Sequence, residues 1–398
     1  MSHSTAEQMR QWQGPALFTF GFRPFFLFGA LWAGLAMPLW IVVFTGALEL
    51  PTRFDPVTWH AHAFLFGYLG AIIAGFLLTA VPNWTGRLPV VGWQLAGLFA
   101  LWCAGRVAVL VSALLPAWGA AAVDLAFPLV LSAVLLREIV AGKNWRNLIV
   151  LALLGVFFLA NLLFHVEAAR GVYAAEGFGL RLGLAAGLML ISVVGGRIVP
   201  SFTRNWLVRE GREERPAAPM QRFDKLVLIV SLVALLLWVV MPSQPATGIG
   251  LLLMGGLHLG RLTRWKGART GAEPLVWVLH LAYACIPLGA LWAGLSVLRP
   301  DWIAPAGAQH LWMAGALGLM TLAVMTRATL GHTGQALHAG SATLAIYLAL
   351  VVSVLFRLAA GIWPEMALYH LSATFWTLAF VGFAAVYGPL LARRRPGK

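Results

Sequence analysis

Long apolar runs, broken by short polar stretches, follow one another along the whole chain, and few polar residues interrupt them. A run of about 20 mostly apolar residues is long enough to cross the roughly 30 Å hydrocarbon layer of a bilayer as a helix. Twelve such spans are predicted, near 24–45, 59–81, 92–115, 117–137, 146–166, 178–199, 224–241, 246–263, 274–297, 306–327, 339–359 and 366–391. The expected fold class is therefore all-α, a polytopic membrane protein with about twelve transmembrane helices. Residues 1–398 read as a single integral membrane domain, with 200–223 as a cytoplasmic linker between two six-helix halves.

Composition agrees: of 398 residues 60% are hydrophobic and 11% charged, with a mean hydropathy of +0.83, where soluble domains carry about 25% charged residues. The first 26 residues lack an apolar core followed by a small-residue cleavage site, so the first span itself is expected to direct insertion. Cys103 and Cys285 both fall inside apolar runs and read as packing residues, with no CxxC pair and no disulfide framework.

The net charge of +14 raises the question of nucleic acid, and the positions of the charges answer it. With the N-terminus inside, twenty-two Lys and Arg fall on the cytoplasmic side, Arg10, Arg261, Arg395 and Lys398 among them. The other side holds Arg53, Arg170, Arg181, Arg299 and Arg357, and Arg106 lies within a span. This bias predicts both termini inside and accounts for the basic balance without a nucleic-acid partner. Arg106 and Asp124, the one clear intramembrane carboxylate, each lie nine residues from Leu115 at a hairpin tip. At 1.5 Å per residue both sit at a depth of roughly 13 Å. They are expected to pair, because a lone intramembrane charge costs at least about 2.5 kcal/mol.

A weak internal repeat runs through the spans. Laying His62 over His310 also matches Gly67 with Gly315, Gly70 with Gly318, Ala80 with Ala328 and Thr85-Gly86 with Thr333-Gly334. "VPNWT" at 81–85 resembles "VPSFT" at 199–203, and Arg197 and Thr203 share the spacing of Arg327 and Thr333. Spans two, six and ten are thus predicted to be equivalent elements of a four-helix unit repeated three times. Small residues such as Gly67, Gly70 and Ala74, or Gly179, Gly183 and Gly187, either let helices approach closely or make room for a flat macrocycle.

Ten histidines are the chemical signature of the chain. His60, His62, His165, His310 and His370 fall near the outer ends of spans, whereas His258, His280, His332 and His338 fall in the inner half. Imidazole is a ligand for haem iron, copper and zinc, and its other role is to anchor helix ends. On a regular helix His60 and His62 point about 200° apart, so one metal is not expected to take both. His62 is expected to face His310 across a haem, and His60 to face His165 or His370 and a copper ion. Arg23, Arg197 and Arg327 at inner span ends are either topological determinants or partners for a carboxylate such as a haem propionate near His258, His280 and His332.

At these residues the chain resembles the NnrS family of bacterial membrane proteins. The matching stretches are "GFRPFFLFGA", "WHAHAFLFGYLGAIIAGFLLTAVPNWTG", "GGRIVPSFT" and "MTRATLGHTG". The resemblance implies about twelve helices in the bacterial inner membrane, haem b, copper, and a role in relieving nitric oxide or nitrosative damage. It carries over His60, His62, His310 and His332, with Arg23, Arg197 and Arg327 in matching motifs. Ala63 stands where the family often has an acidic residue. The three-unit pattern is also similar to the large subunit of haem-copper oxidases, although the adjacent double histidine of an oxidase copper site is absent. Three functions follow: a haem and copper oxidoreductase or binder acting on nitric oxide or a related small ligand with a separate electron donor; a secondary transporter of a metal or its chelate; and a haem-based sensor or assembly partner.

Overall fold

The computed structural model describes residues 12–116, 118–301 and 305–394, so Arg10, Arg395 and Lys398 of the inner charge tally lie outside the described residues. Twelve long helical elements follow in chain order: α1 (Phe22–Phe44), α2 (Pro56–Thr85), α3 (Gly92–Leu110), α4 (Gly119–Ala141), α5 (Leu148–Ala169), α6 (Phe178–Arg209), α7 (Arg222–Val240), α8 (Pro245–Thr263), α9 (Pro274–Leu298), α10 (Pro305–His310 continuing through Thr333), α11 (Ser341–Ile362) and α12 (Met366–Ala392). Eleven of them are long and apolar enough to cross a membrane. The protein is an all-helical, multi-pass membrane protein, as the hydrophobic pattern predicts. The remaining element, α8, has the length but not the apolarity, for it carries His258 and Arg261. Within the stretch expected to be a linker, α6 continues as helix to Arg209, and α7 begins at Arg222.

Two compact units are distinguished. The first gathers the chain up to Gly183 with Ala328–Gln335 and the segment from Phe380; the second gathers Leu184–Arg327 and Ala336–Ala379. Small residues bring helices together in each. Inside the first, a β-carbon on Gly179 would meet the Phe164 nitrogen of α5 at 2.4 Å. Inside the second, a β-carbon on Gly294 of α9 would meet the Gly248 carbonyl of α8 at 2.8 Å. Such contact replaces the hydrophobic drive that lipid cannot supply between helices. Of the glycines singled out in the sequence, Gly67, Gly179 and Gly183 lie in close contact with neighbouring atoms, and Gly70 does not.

Among the described residues, two helices change their winding. In α2 the regular helix ends at His62 and Ala63–Tyr68 is π-helical; in α10 it ends at His310 and Leu311–Leu319 is π-helical. A π turn leaves carbonyls without their usual partners, which lipid cannot satisfy. In α2 two indoles do so: Trp32 Nε1 donates to the Ala63 carbonyl at 2.8 Å and Trp102 Nε1 to that of Gly67 at 3.0 Å. The sequence repeat thus has a local structural counterpart in α2 and α10. Both end in Thr followed by a Gly at positive φ, Gly86 at 68° and Gly334 at 74°. Thr85, Thr203 and Thr333 each donate to the carbonyl four residues earlier. The third expected equivalent, α6, is continuous helix without a π segment.

Candidate metal centre

The first unit buries a polar cluster built from four helices. Asp124 of α4 is its hub, and its two oxygens have different partners. Oδ1 accepts from Arg106 Nη2 of α3, the pairing expected from their matched depths. Oδ2 accepts from His165 Nε2 at 3.1 Å, from His62 Nε2 at 3.1 Å and from Asn161 Nδ2 at 2.8 Å. Asn161 Oδ1 in turn lies 3.0 Å from His62 Nε2. Asn161 and His165 stand four residues apart on α5 and so share a face of that helix. His62 is fully buried, Asp124 1% exposed and His165 6% exposed.

Local packing fixes each member. A β-carbon on Gly67, in the π turn of α2, would lie 2.3 Å from Arg106 Nη1, and one on Gly105 would lie 2.9 Å from Asp124 Oδ1. Only glycine leaves room for the guanidinium and the carboxylate to meet. The guanidinium also lies 5.9 Å from the Trp32 ring centroid. Phe54, Phe66 and Phe164 surround the His62 ring, whose centroid is 5.0 Å from that of His165.

These side chains fit a metal ion. One ligand atom from each of His62, Asp124 and His165 lies within 4.8 Å of the other two, and donors on one tetrahedral ion at about 2.0–2.1 Å stand about 3.3 Å apart. Two imidazoles and a carboxylate form a nitrogen and oxygen set that suits copper, zinc or iron. The His62 Nδ1, Arg106 Nε and Arg106 Nη1 atoms are buried without a hydrogen-bond partner. Beside the cluster lies a void of ≈ 10 Å³, walled by Phe66, Phe127, Leu131 and Phe157 and touching Arg106, Asp124 and Asn161. It has room for about one water-sized molecule. A porphyrin does not fit it.

The histidines expected to act together are partly redistributed. His60 and His62 do diverge, but their partners are not those expected. His165 joins His62, not His60, because α5 packs its Asn161–His165 face against the His62 side of α2. His60 instead lies against Trp40 and Phe64, at ring-centroid distances of 4.2 and 4.8 Å. His62 Nε2 is directed to Asp124 and Asn161. His310 is half-buried at the start of the α10 π segment, in the second unit. His370 is exposed on α12 and takes no part in the three-residue cluster.

The inner histidines of the second unit belong to a separate hydrogen-bonded network. Ser231 Oγ donates to the Val227 carbonyl, so it accepts from His258 Nε2 at 2.8 Å, and Tyr283 Oη then donates to His258 Nδ1 at 2.9 Å. Arg261 Nη1 donates to Tyr283 Oη at 2.8 Å and to the Ser192 carbonyl, while its Nε donates to Asp224 Oδ1 at 2.7 Å. Arg261, expected among the cytoplasmic charges, is therefore a buried ion-pair partner, and Asp224 is its buried carboxylate, which hydropathy did not reveal. His280 Nε2 meets Thr203 Oγ1 at 2.8 Å, while its Nδ1, beside Gly267, is buried without a hydrogen-bond partner.

The three motif arginines also differ from one another. Arg23 is buried and donates from Nη1 to the carbonyls of Leu390, Leu391 and Arg393 at 3.2, 2.9 and 2.8 Å. It caps the C-terminal end of α12, a structural role. Arg327 lies 4.0 Å over the Phe202 ring, and Arg197 is half-buried in α6. His332 lies against Phe22, with ring centroids 5.3 Å apart. Asn161 and Asp124 went unrecognised as site members; the four-residue spacing of Asn161 and His165 and the outer-half depth of Asp124 were the signals available.

The family model described as NnrS protein matches residues 16–395, nearly the whole chain. No curated protein matches the sequence.

Proposed function

The chain belongs to the NnrS family, membrane proteins of the nitric oxide response, and on that premise we propose that His62, His165 and Asp124 hold a copper ion at which nitric oxide or a related small ligand binds or reacts. The observation that carries this reading is the convergence of the three donors in a fully buried site. Copper bound there would supply an open coordination position and a one-electron couple, with electrons from a separate donor. His62 and His165 would hold it through Nε2 and Asp124 through Oδ2, while Asn161 and Arg106 orient the carboxylate from either side. The aromatic and leucine wall of the adjoining void excludes bulk water but admits a small apolar molecule arriving through lipid.

Haem b, the other cofactor of the resemblance, has less support among the residues expected to hold it. His258 has both nitrogens engaged and Arg23 caps a helix, whereas His280 keeps an unpartnered Nδ1. His310, His280, Arg197 and Arg327 of the second unit and, separately, His332 of the first remain proposed haem residues. The proposed setting is the bacterial cytoplasmic membrane with both termini inside, and the charge bias supports it even with Arg261 removed from the tally.

The test is nitric oxide loss, followed with an electrode, in vesicles holding the copper-loaded full chain and a chemical reductant. Wild type should remove nitric oxide faster than His62→Ala and His165→Ala, whereas His370→Ala should match wild type. Equal removal by wild type and the His62 and His165 variants would overturn the reading.

A further inference from the structure

The division of Asp124 between two sets of partners bears on which ion the cluster accepts. We infer that Arg106 is a specificity-determining residue that makes this centre selective for univalent copper over divalent ions; the inference rests on the metal-site reading of His62, His165 and Asp124. Oδ1 of Asp124 pairs with Arg106, and only Oδ2 faces the two imidazoles. The carboxylate charge is therefore neutralised before an ion arrives. Imidazole binds metal in its neutral form, and Asn161 is neutral, so His62, His165, Asp124, Asn161 and Arg106 together carry no net charge. No further acidic group or cysteine among the described residues completes a three-ligand cluster with them.

Arg106 is held firmly in this role. A guanidinium stays protonated in proteins, and this one is enclosed by Asp124, the Trp32 ring and the Gly67 backbone. A divalent ion would leave two uncompensated positive charges in a buried site, and a univalent ion only one. The solvation penalty of a buried ion rises with the square of its charge, so the difference is large where the surroundings are apolar. Donor type does not favour copper(I) here, because imidazole serves copper and zinc alike and a carboxylate is a hard donor. The discrimination comes from the charge that Arg106 has already placed beside the site.

The experiment loads the purified full chain, in lipid nanodiscs without oxygen, with copper(I) or with zinc(II). Retained metal is then measured by mass spectrometry against graded chelator. Wild type should hold copper(I) at least about tenfold more tightly than zinc(II). Arg106→Lys should keep that preference, and Arg106→Met should strengthen zinc(II) binding by about tenfold or more by freeing the carboxylate charge. Arg106→Met leaves the Asp124 carboxylate without its counter-charge, so a variant that fails to fold is replaced by Arg106→Gln, which keeps a donor to the carboxylate but not the charge. Arg106→Gln frees the carboxylate charge in the same way and should strengthen zinc(II) binding. Wild type holding zinc(II) as tightly as copper(I), or a folded Arg106→Met or Arg106→Gln that holds zinc(II) no more tightly than wild type, overturns the role of Arg106 alone. A wild type that takes up neither ion refutes the metal-site reading and this inference with it.

Discussion

Gly67→Ala and Gly70→Ala make the same chemical change three residues apart in one helix, and the structure separates their effects. An alanine β-carbon at Gly67 would stand 2.3 Å from Arg106 Nη1 and 3.0 Å from Trp32 Nε1. Restoring ordinary contact requires the guanidinium to move by about 1 Å, away from the carboxylate that it neutralises. Overpacking alone costs about 1–3 kcal/mol, and loss of one partner of a buried ion pair costs about 3–5 kcal/mol. A strained but not fully broken pair falls between, at about 3 kcal/mol. At Gly70 the nearest atom to the new β-carbon is Phe157 Cε1 at 3.9 Å, an ordinary contact, and alanine gains up to about 1 kcal/mol in helix propensity. The assay is unfolding of detergent-purified protein followed by tryptophan fluorescence, alongside retained copper. Gly67→Ala should unfold earlier than wild type and hold copper differently, while Gly70→Ala should unfold at or above the wild-type midpoint with copper unchanged. Equal behaviour of the two variants would refute the claim that Gly67 exists to seat Arg106.

Other consequences concern groups outside the cluster. Arg23→Gln should lower stability by about 1.5–3 kcal/mol through lost charged hydrogen bonds to the end of α12, with no change in copper content; cofactor loss without destabilisation would contradict the capping role. Asp224→Asn should destabilise by about 3–5 kcal/mol, because it leaves Arg261 buried beside Tyr283 without its counter-charge. In a double-mutant cycle of Asp224→Leu and Arg261→Met, the double variant should lose less than the sum of the two single losses, and additive losses would show that the two side chains do not act as a pair.

The helices were legible because lipid forces every backbone group to be satisfied within its own segment, so apolar length alone marks a span. The pairing of Arg106 with Asp124 was legible for a related reason: two opposite charges at one depth of a hairpin have little choice of partner. Other features were hidden because they depend on neighbours from separate helices. Arg261 reads in sequence as a positive residue at a helix end, and only the packing of α7 against α8 reveals Asp224 beside it. The His62 and His165 partnership is of the same kind, since a repeat in the sequence gives equivalence between elements and not contact. What the matched residues at His62 and His310 did signal is a shared local geometry, the change to π winding just after each histidine.

The central claim, that His62, His165 and Asp124 form a copper centre, is most directly tested by X-ray absorption at the copper edge on reduced full-length protein. Expected is a first shell of nitrogen and oxygen with the scattering of two imidazole rings in wild type. His165→Ala should reduce this to one ring or lose the metal, and His370→Ala should leave it unchanged. A copper spectrum that is the same in wild type and His165→Ala would contradict the site.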